Sequence, residues 1–428
     1  MKRPNKIMSL LGALIVASLL LAACAPAATP APTSAPQPTT APQPTTAPQP
    51  TTAPQPTAVP QPTVAPTAAA TEAPTEMPMV EIKIAFFGPL TGPVANVGQE
   101  QLALARIAVS DFNKGMAGFH VTMVEEDTDI TADKAVPVCT KDAADNTIVG
   151  VVGPSGSGQV TACAKILEDA GLGHTLSSAT NPTLSQGGNK TLFRVIPNDD
   201  VQGMTDGNYI ADKLGAKAVY VIDDKESYGT GLADTVEKIL KGKGVNTQRD
   251  AIGQNDNDFS SLVTKIKAFK PDLVFYANQV ATQGAALAKA MKDQGFSVPI
   301  FGGDGFYSQK DYIDAAGGAT EGSYASVFFP DIRARPEAAD VVKQADAAYP
   351  TWGNFGAATY VATTVLLDAA AAASKNGKLD RAGVVAALGQ IDEKVLGYPV
   401  KFDATGEVAG ASFVVAQVKS SKFSQVFP

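Results

Sequence analysis

Cysteine, histidine and tryptophan are nearly missing from this 428-residue chain, with three, two and one of each. His120 and His174 stand alone, and the cysteines at 24, 139 and 163 show no zinc-ligand spacing, so no metal is expected. Basic residues are outnumbered, 34 Lys and Arg against 42 Asp and Glu, for a net charge of −8. There is no long basic run and no basic patch interleaved with aromatics, so nucleic acid is not an expected partner. Catalytic templates are lacking too. Residues 153–158 form a Gly/Ser-rich loop, but no Gly-Lys-Ser/Thr follows and the third glycine of a dinucleotide fingerprint is misplaced. The same loop ends in Ser157 where a nucleophile elbow needs glycine, and His174 lies too close to it in sequence for a hydrolase triad. The chain therefore reads as a binding protein without a cofactor, not as an enzyme.

What is present begins with a basic start at Lys2, Arg3 and Lys6, an apolar run over residues 7–21, and small residues leading to Cys24. This is the pattern of a lipoprotein signal peptide, residues 1–23, with Cys24 as the lipidated first residue of the mature chain. An uncleaved anchor is the alternative. The run is, however, shorter than the roughly 20 residues that cross a bilayer. Either way the remainder is expected outside the cytoplasm, in the periplasm or on the outer face of the cell membrane. Residues 24–79 are dominated by Ala, Pro, Thr and Gln, with the unit Ala-Pro-Gln-Pro-Thr-Thr starting at Ala35, Ala41 and Ala47. Such a segment has no apolar face to bury and reads as a disordered, extended tether. Loss of the signal removes three of the 34 basic residues and leaves 31 against the 42 acidic ones, a net of −11.

The rest is long enough for two domains. Residues 82–87 read as a buried strand. Leu102, Ala105, Ala108, Val109 and Phe112 then mark a helix face at 3.6-residue spacing. Strands at 121–124 and 148–152 alternate with helices marked by Val136, Cys139 and Ala143 and by Val160, Cys163 and Leu167. A second series follows: strands at 218–222, 273–276 and 298–301, and helices at 229–240, 259–269 and 284–292. Residues 338–348, 354–374 and 381–388 read as helices. The apolar 354–374 segment is expected to be a tightly packed core helix, since Asn354, Asp368 and its many alanines argue against a membrane span. This alternation predicts an α/β protein of two doubly wound parallel-sheet lobes.

In such sheets ligands bind beyond the carboxyl ends of the strands, where neighbouring connections diverge. With strand order 2-1-3, the loops at that point are 88–93 and 153–158. The second runs into a helix whose leading amides suit a carboxylate, and Ser155 and Ser157 add hydroxyls. The loop after the fourth strand adds Ser177, Ser178 and Thr180. The same order makes the helices carrying Cys139 and Cys163 neighbours, so a disulfide is reasonable in an oxidising compartment, with two buried free thiols as the alternative.

Residues 82–95, the loop 153–159, residues 178–182, the stretch 223–231 (Asp-Asp-Lys-Glu-Ser-Tyr-Gly-Thr-Gly) and residues 302–305 (Gly-Gly-Asp-Gly) resemble the leucine-isoleucine-valine type of periplasmic binding protein that feeds ABC importers. The resemblance runs from about Glu81 to the C-terminus. It implies two lobes joined by a three-stranded hinge with crossings near Ile196, Val327 and Pro399. The N-terminal lobe is then 80–196 with 328–398, and the C-terminal lobe 197–327 with 399–428. It further implies a small amino-acid-like ligand, branched-chain or a related carboxylate or amide, delivered to ABC permease subunits in the membrane. The rival expectation is a ligand-sensing ectodomain that hands its closed form to a membrane receptor. By the resemblance, Ser155, Gly156 and Ser157 hold the ligand carboxylate. Ser178, Ala179 and Thr180 bind carboxylate and ammonium, Tyr228 closes over the ligand, and Asp304 pairs with the ammonium. Where relatives of this type carry aromatics over the ligand, Val97 and Gln279 stand here as candidate pocket-lining residues.

Overall fold

The structure, a computed structural model, describes residues 79–427 apart from Pro330. The expected signal peptide, the lipidated Cys24 and the Pro/Thr repeat lie outside the described residues.

The first lobe is built on a five-stranded parallel sheet of order β2-β1-β3-β4-β5. Its strands are β1 (Val80–Gly88), β2 (Phe119–Asp127), β3 (Ile148–Val152), β4 (Gly173–Leu176) and β5 (Leu192–Arg194). All five residues of β3 are buried, as a strand covered on both faces requires. Helices α1 (Ala95–Gly115), α2 (Ala132–Ala144) and α3 (Ser157–Asp169) connect these strands. Cys139 of α2 and Cys163 of α3 are bonded, their Cα atoms 6.0 Å apart.

The chain then enters the second lobe through α4 (Asp199–Asn208), whose first turn is capped by the Asn198 side chain accepting from the amides of Asp200 and Val201. A seven-stranded sheet follows, ordered β14-β13-β10-β9-β8-β6-β7. The parallel part comprises β6 (Ala218–Asp223), β7 (Asn246–Ala251), β8 (Leu273–Ala277), β9 (Ile300–Gly302) and β10 (Tyr324–Val327). Helices α5 (Ser227–Gly242), α6 (Ser260–Phe269) and α7 (Ala281–Asp293) cover it. The antiparallel pair β13 (Val414–Lys419) and β14 (Lys422–Phe427) completes its edge. In each sheet the first strand lies between the second and third, so both present a divergence point at their carboxyl ends.

Between β10 and β13 the chain returns to the first lobe as α8 (Ala339–Ala348), α9 (Asn354–Lys375), α10 (Arg381–Leu388) and the hairpin β11 (Asp392–Val395) with β12 (Tyr398–Lys401). Helix α9 is the apolar 354–374 segment. It is a core helix of the first lobe, with Val361, Val365, Leu366 and Leu367 wholly buried beside Ile82, Leu104 and Val152.

Val195 and Ile196 still pack in the first core before α4 begins, while Val327 ends β10 and Phe328 enters the first core. The third crossing does not fall near Pro399. The β11–β12 hairpin stays with the first lobe, and Phe402, Val408 and Phe413 pack into its core. The passage comes at Phe413 and Val414, where β13 joins the second sheet beside β10. Residues 399–413 thus pack with the first lobe, where Phe402, Val408 and Phe413 are buried in its core.

Candidate functional site

A small cavity lies between the carboxyl ends of the two sheets. The first lobe contributes Ser155, Gly156, Ser157 and Ser178, and the second Tyr228, Gln279, Asp304 and Gly305. Pro89, Val94, Val97, Ile130 and Phe355 form its apolar wall. The lobes touch across the cleft beside it. Asn96 Nδ2 donates to both carboxylate oxygens of Asp311 at 2.9 Å, and Asn181 Nδ2 donates to the Ser227 carbonyl at 2.8 Å.

The first-lobe wall is a neutral hydrogen-bonded network. Gly153 turns the chain out of β3 with φ 106°, and a Cβ there would sit 2.4 Å from the Phe87 carbonyl oxygen, so only glycine lets the loop lie against β1. Gln101, buried on α1, is its hub. Its Oε1 accepts from Ser155 Oγ at 2.8 Å, and its Nε2 donates to Ser177 Oγ at 3.2 Å and Ser178 Oγ at 3.0 Å. Ser178 Oγ in turn donates to the Ser155 carbonyl at 2.8 Å. Ser157 Oγ accepts from the Asn181 amide at 3.2 Å, which leaves its own proton available. The Gly156 amide is taken by Gln159 Oε1 at 3.1 Å, while the next amides open α3 and have no intrahelical carbonyl to meet.

Ala179 and Thr180 are not in the cavity lining. Ala179 packs with Val160 and Leu176, and its carbonyl accepts from Arg194 Nη1 at 2.8 Å. Thr180 is wholly buried, and its hydroxyl has no partner. Arg194, also wholly buried, further donates to the Asn181 carbonyl at 3.0 Å and to Glu407 Oε1 at 2.6 Å, fixing the 178–181 loop to the segment that leads to the third crossing.

The second-lobe wall is acidic. The Tyr228 hydroxyl accepts from the Asp304 amide at 3.2 Å. Behind them lie Asp199 and Asp206 of α4, so three buried carboxyls share one region. Asp199 Oδ2, Asp206 Oδ1 and Asp304 Oδ2 have no hydrogen-bond partner. Gln202, with its amide oriented to suit its neighbours, donates to Asp199 Oδ1 at 2.9 Å. Burial pushes Asp199 up to about 7. Burial, then the like charges of its neighbours, raises both Asp206 and Asp304 well above the carboxylate range. Tyr228 is raised for the same reasons. A cation set among these groups would reverse the penalty.

Of the residues singled out from sequence, Ser155, Gly156, Ser157, Ser178, Tyr228, Asp304, Val97 and Gln279 come together here. Gln101, Asp199, Gln202 and Asp206 were missed. Gln101 had a signal: it is a polar residue one step before Leu102 on a helix face that is otherwise apolar. Among the described residues no group of His, Cys, Asp and Glu has a metal-holding arrangement.

A family model described as periplasmic binding protein matches residues 81–422. The chain is 30% identical over 340 residues to Leu/Ile/Val-binding protein homolog 2 of Brucella abortus, covering 78% of this chain and 90% of that protein. It is 32% identical over 266 residues to the leucine-, isoleucine-, valine-, threonine- and alanine-binding protein of Pseudomonas aeruginosa, covering 61% of this chain and 70% of that one. A leucine binding protein of Thermotoga maritima superposes with a TM-score of 0.74 at 25% identity, over 81% of this chain and 97% of that one.

Proposed function

From the premise that this chain belongs to the periplasmic binding protein family, an extracytoplasmic family of solute binders and not of enzymes, we propose that it captures an α-amino acid between its lobes and delivers it to an ABC permease. The observation that carries this reading is the pairing of opposite chemistries across one small cavity: free helix-leading amides and hydroxyls on one wall, an unpartnered buried carboxyl at Asp304 on the other. A zwitterion carries the complement of each.

In this reading the carboxylate takes the amides that open α3 and the Ser157 hydroxyl, while Ser155 and Ser178 turn from their present acceptors toward it. Thr180 acts from behind, supporting the loop near the ammonium. The ammonium ionises Asp304, and Tyr228 closes over the Cα region. Opening breaks the Asn96–Asp311 and Asn181–Ser227 bonds, and the ligand favours the closed form because only there does it touch both walls. The lipidated Cys24 and the proline-rich tether hold the domain near the membrane, which raises its effective concentration at the permease.

A thermal-shift screen over amino acids, amides and aromatic acids tests the reading. A ligand at a hundredfold excess over its Kd stabilises the protein by about 2.7 kcal/mol, several degrees of melting temperature. If no amino acid raises the melting temperature, the reading fails.

A further inference from the structure

The small cavity does not end at its apolar wall. Val94, Val97, Gln279, Gly305 and Phe355 line it and also a second, larger cavity. Of these five shared residues only Phe355 is aromatic. Resting on the amino-acid reading above, we infer that the ligand's side chain passes between Val97 and Gln279 into this second cavity and ends in a cationic group paired with Glu100.

Glu100 lies three positions beyond Val97 on α1, on the same face and about 4.5 Å further along the helix axis. It lines the second cavity and is only 8% exposed. Its Oε1 accepts from the amides of Gly353 at 2.8 Å and Gly356 at 2.5 Å, which holds the start of α9 and so positions Phe355. Its Oε2 makes no hydrogen bond among the described residues and no cation forms an ion pair with it. Burial raises its pKa to about 7, against the lowering pull of the Gly356 and Gly353 amides and of the Arg333 charge. The basic residues around the same cavity are placed differently. Lys310 and Lys422 are exposed and solvated. Arg333 lies over the Trp352 ring at 4.0 Å and donates to Asp331 and to the Trp352 carbonyl. A buried carboxylate acts at a lower effective dielectric than exposed ammoniums, so Glu100 dominates selection at this depth. A side chain that is apolar beside Val97 and Phe355 and positive at its tip fits both stretches, and lysine and arginine have that form.

Titration calorimetry with matched pairs tests this: lysine against norleucine, arginine against citrulline, and glutamate as the opposite charge. Lysine and arginine are expected to bind at least about tenfold tighter than their neutral partners, and Glu100→Gln is expected to erase that ratio. The glutamine keeps an acceptor for the Gly353 and Gly356 amides, and a melting curve checks that the variant is folded. Should it not fold, the wild-type ratios decide. Norleucine binding as tightly as lysine, glutamate binding tightest, or an unchanged ratio in the variant overturns the inference while leaving amino-acid capture intact. Failure of every amino acid to bind overturns both.

Discussion

Across the cleft, Ser155, Ser177 and Ser178 are held by one buried glutamine in a network without charge, whereas Asp199, Asp206 and Asp304 crowd together with three carboxyl oxygens unpartnered. On one wall the three serines share a partner before any ligand arrives. The other is strained by its own burial and is relieved by a cation. In the binding mode proposed above, recognition divides accordingly: the first lobe supplies shape and orientation at little cost on closure, and the second supplies the electrostatic gain that makes closure worthwhile.

The sharpest test of that division removes one group from each wall. Asp304→Ala is expected to weaken amino-acid binding by about 100-fold, since an ammonium left without its carboxylate in a buried site is penalised by roughly 3 kcal/mol. Ser155→Ala should cost about tenfold or less, because a neutral hydrogen bond contributes on the order of 1 kcal/mol. Calorimetry on both variants decides it, and equal losses would break the comparison.

The second test uses pH. A carboxyl whose pKa is higher in the fold than in the unfolded chain keeps its proton longer when folded. The native state then binds more protons between about pH 4 and pH 7, and stability falls as pH rises through that window. Asp199, Glu100 and Glu393, each raised to about 7, and Asp224, raised to about 6, all act this way. His174 acts oppositely: burial lowers it to about 4, so its contribution is full above 6.5 and is lost as pH drops toward 4. Four groups outweigh one, and the ligand-free melting temperature is expected to fall from pH 5 to pH 8. Asp206→Asn, which takes one charge out of the acidic wall, should flatten that fall by a few degrees in thermal melts.

Gln101→Ala probes the neutral wall as a unit. It leaves Ser155, Ser177 and Ser178 without their shared partner and is expected to destabilise the fold by about 1–3 kcal/mol while lowering affinity several-fold. Asn96→Ala, outside both walls, removes a partly buried bond to Asp311 and should act least. An increase in ligand off-rate of about two- to fivefold, read by stopped flow, is expected.

The two walls also differed in how far they could be read from sequence. The first was legible because it follows parallel-sheet logic: a buried strand at 148–152, a Gly/Ser loop at its end, then an amphipathic helix. The second was legible only at Tyr228, Gln279 and Asp304, through motif resemblance. Asp199 and Asp206 lie on α4, whose sequence, Asp-Asp-Val-Gln-Gly-Met-Thr-Asp-Gly-Asn, has no apolar period. That helix exists through its Asn198 cap and its packing on α5, where a Cβ at Gly203 would sit 2.5 Å from Thr235 Cγ2. Its carboxyls look like a solvated surface until tertiary structure covers them. The third crossing was misplaced for a related reason. Pro399 sits within β12, and only three-dimensional packing reveals that Phe402, Val408 and Phe413 belong to the first core.

The bond between Cys139 and Cys163 ties the helix whose first amides face the cavity to its neighbour, across a sequence separation of 24. A cross-link of that span stabilises a fold by about 3 kcal/mol. Material purified from a reducing cytoplasm would lack it, and would differ from the exported form in heat tolerance and in the firmness of the helix that opens at the cavity. Handling under thiol reagents thus becomes a variable to control in every affinity measured on this protein.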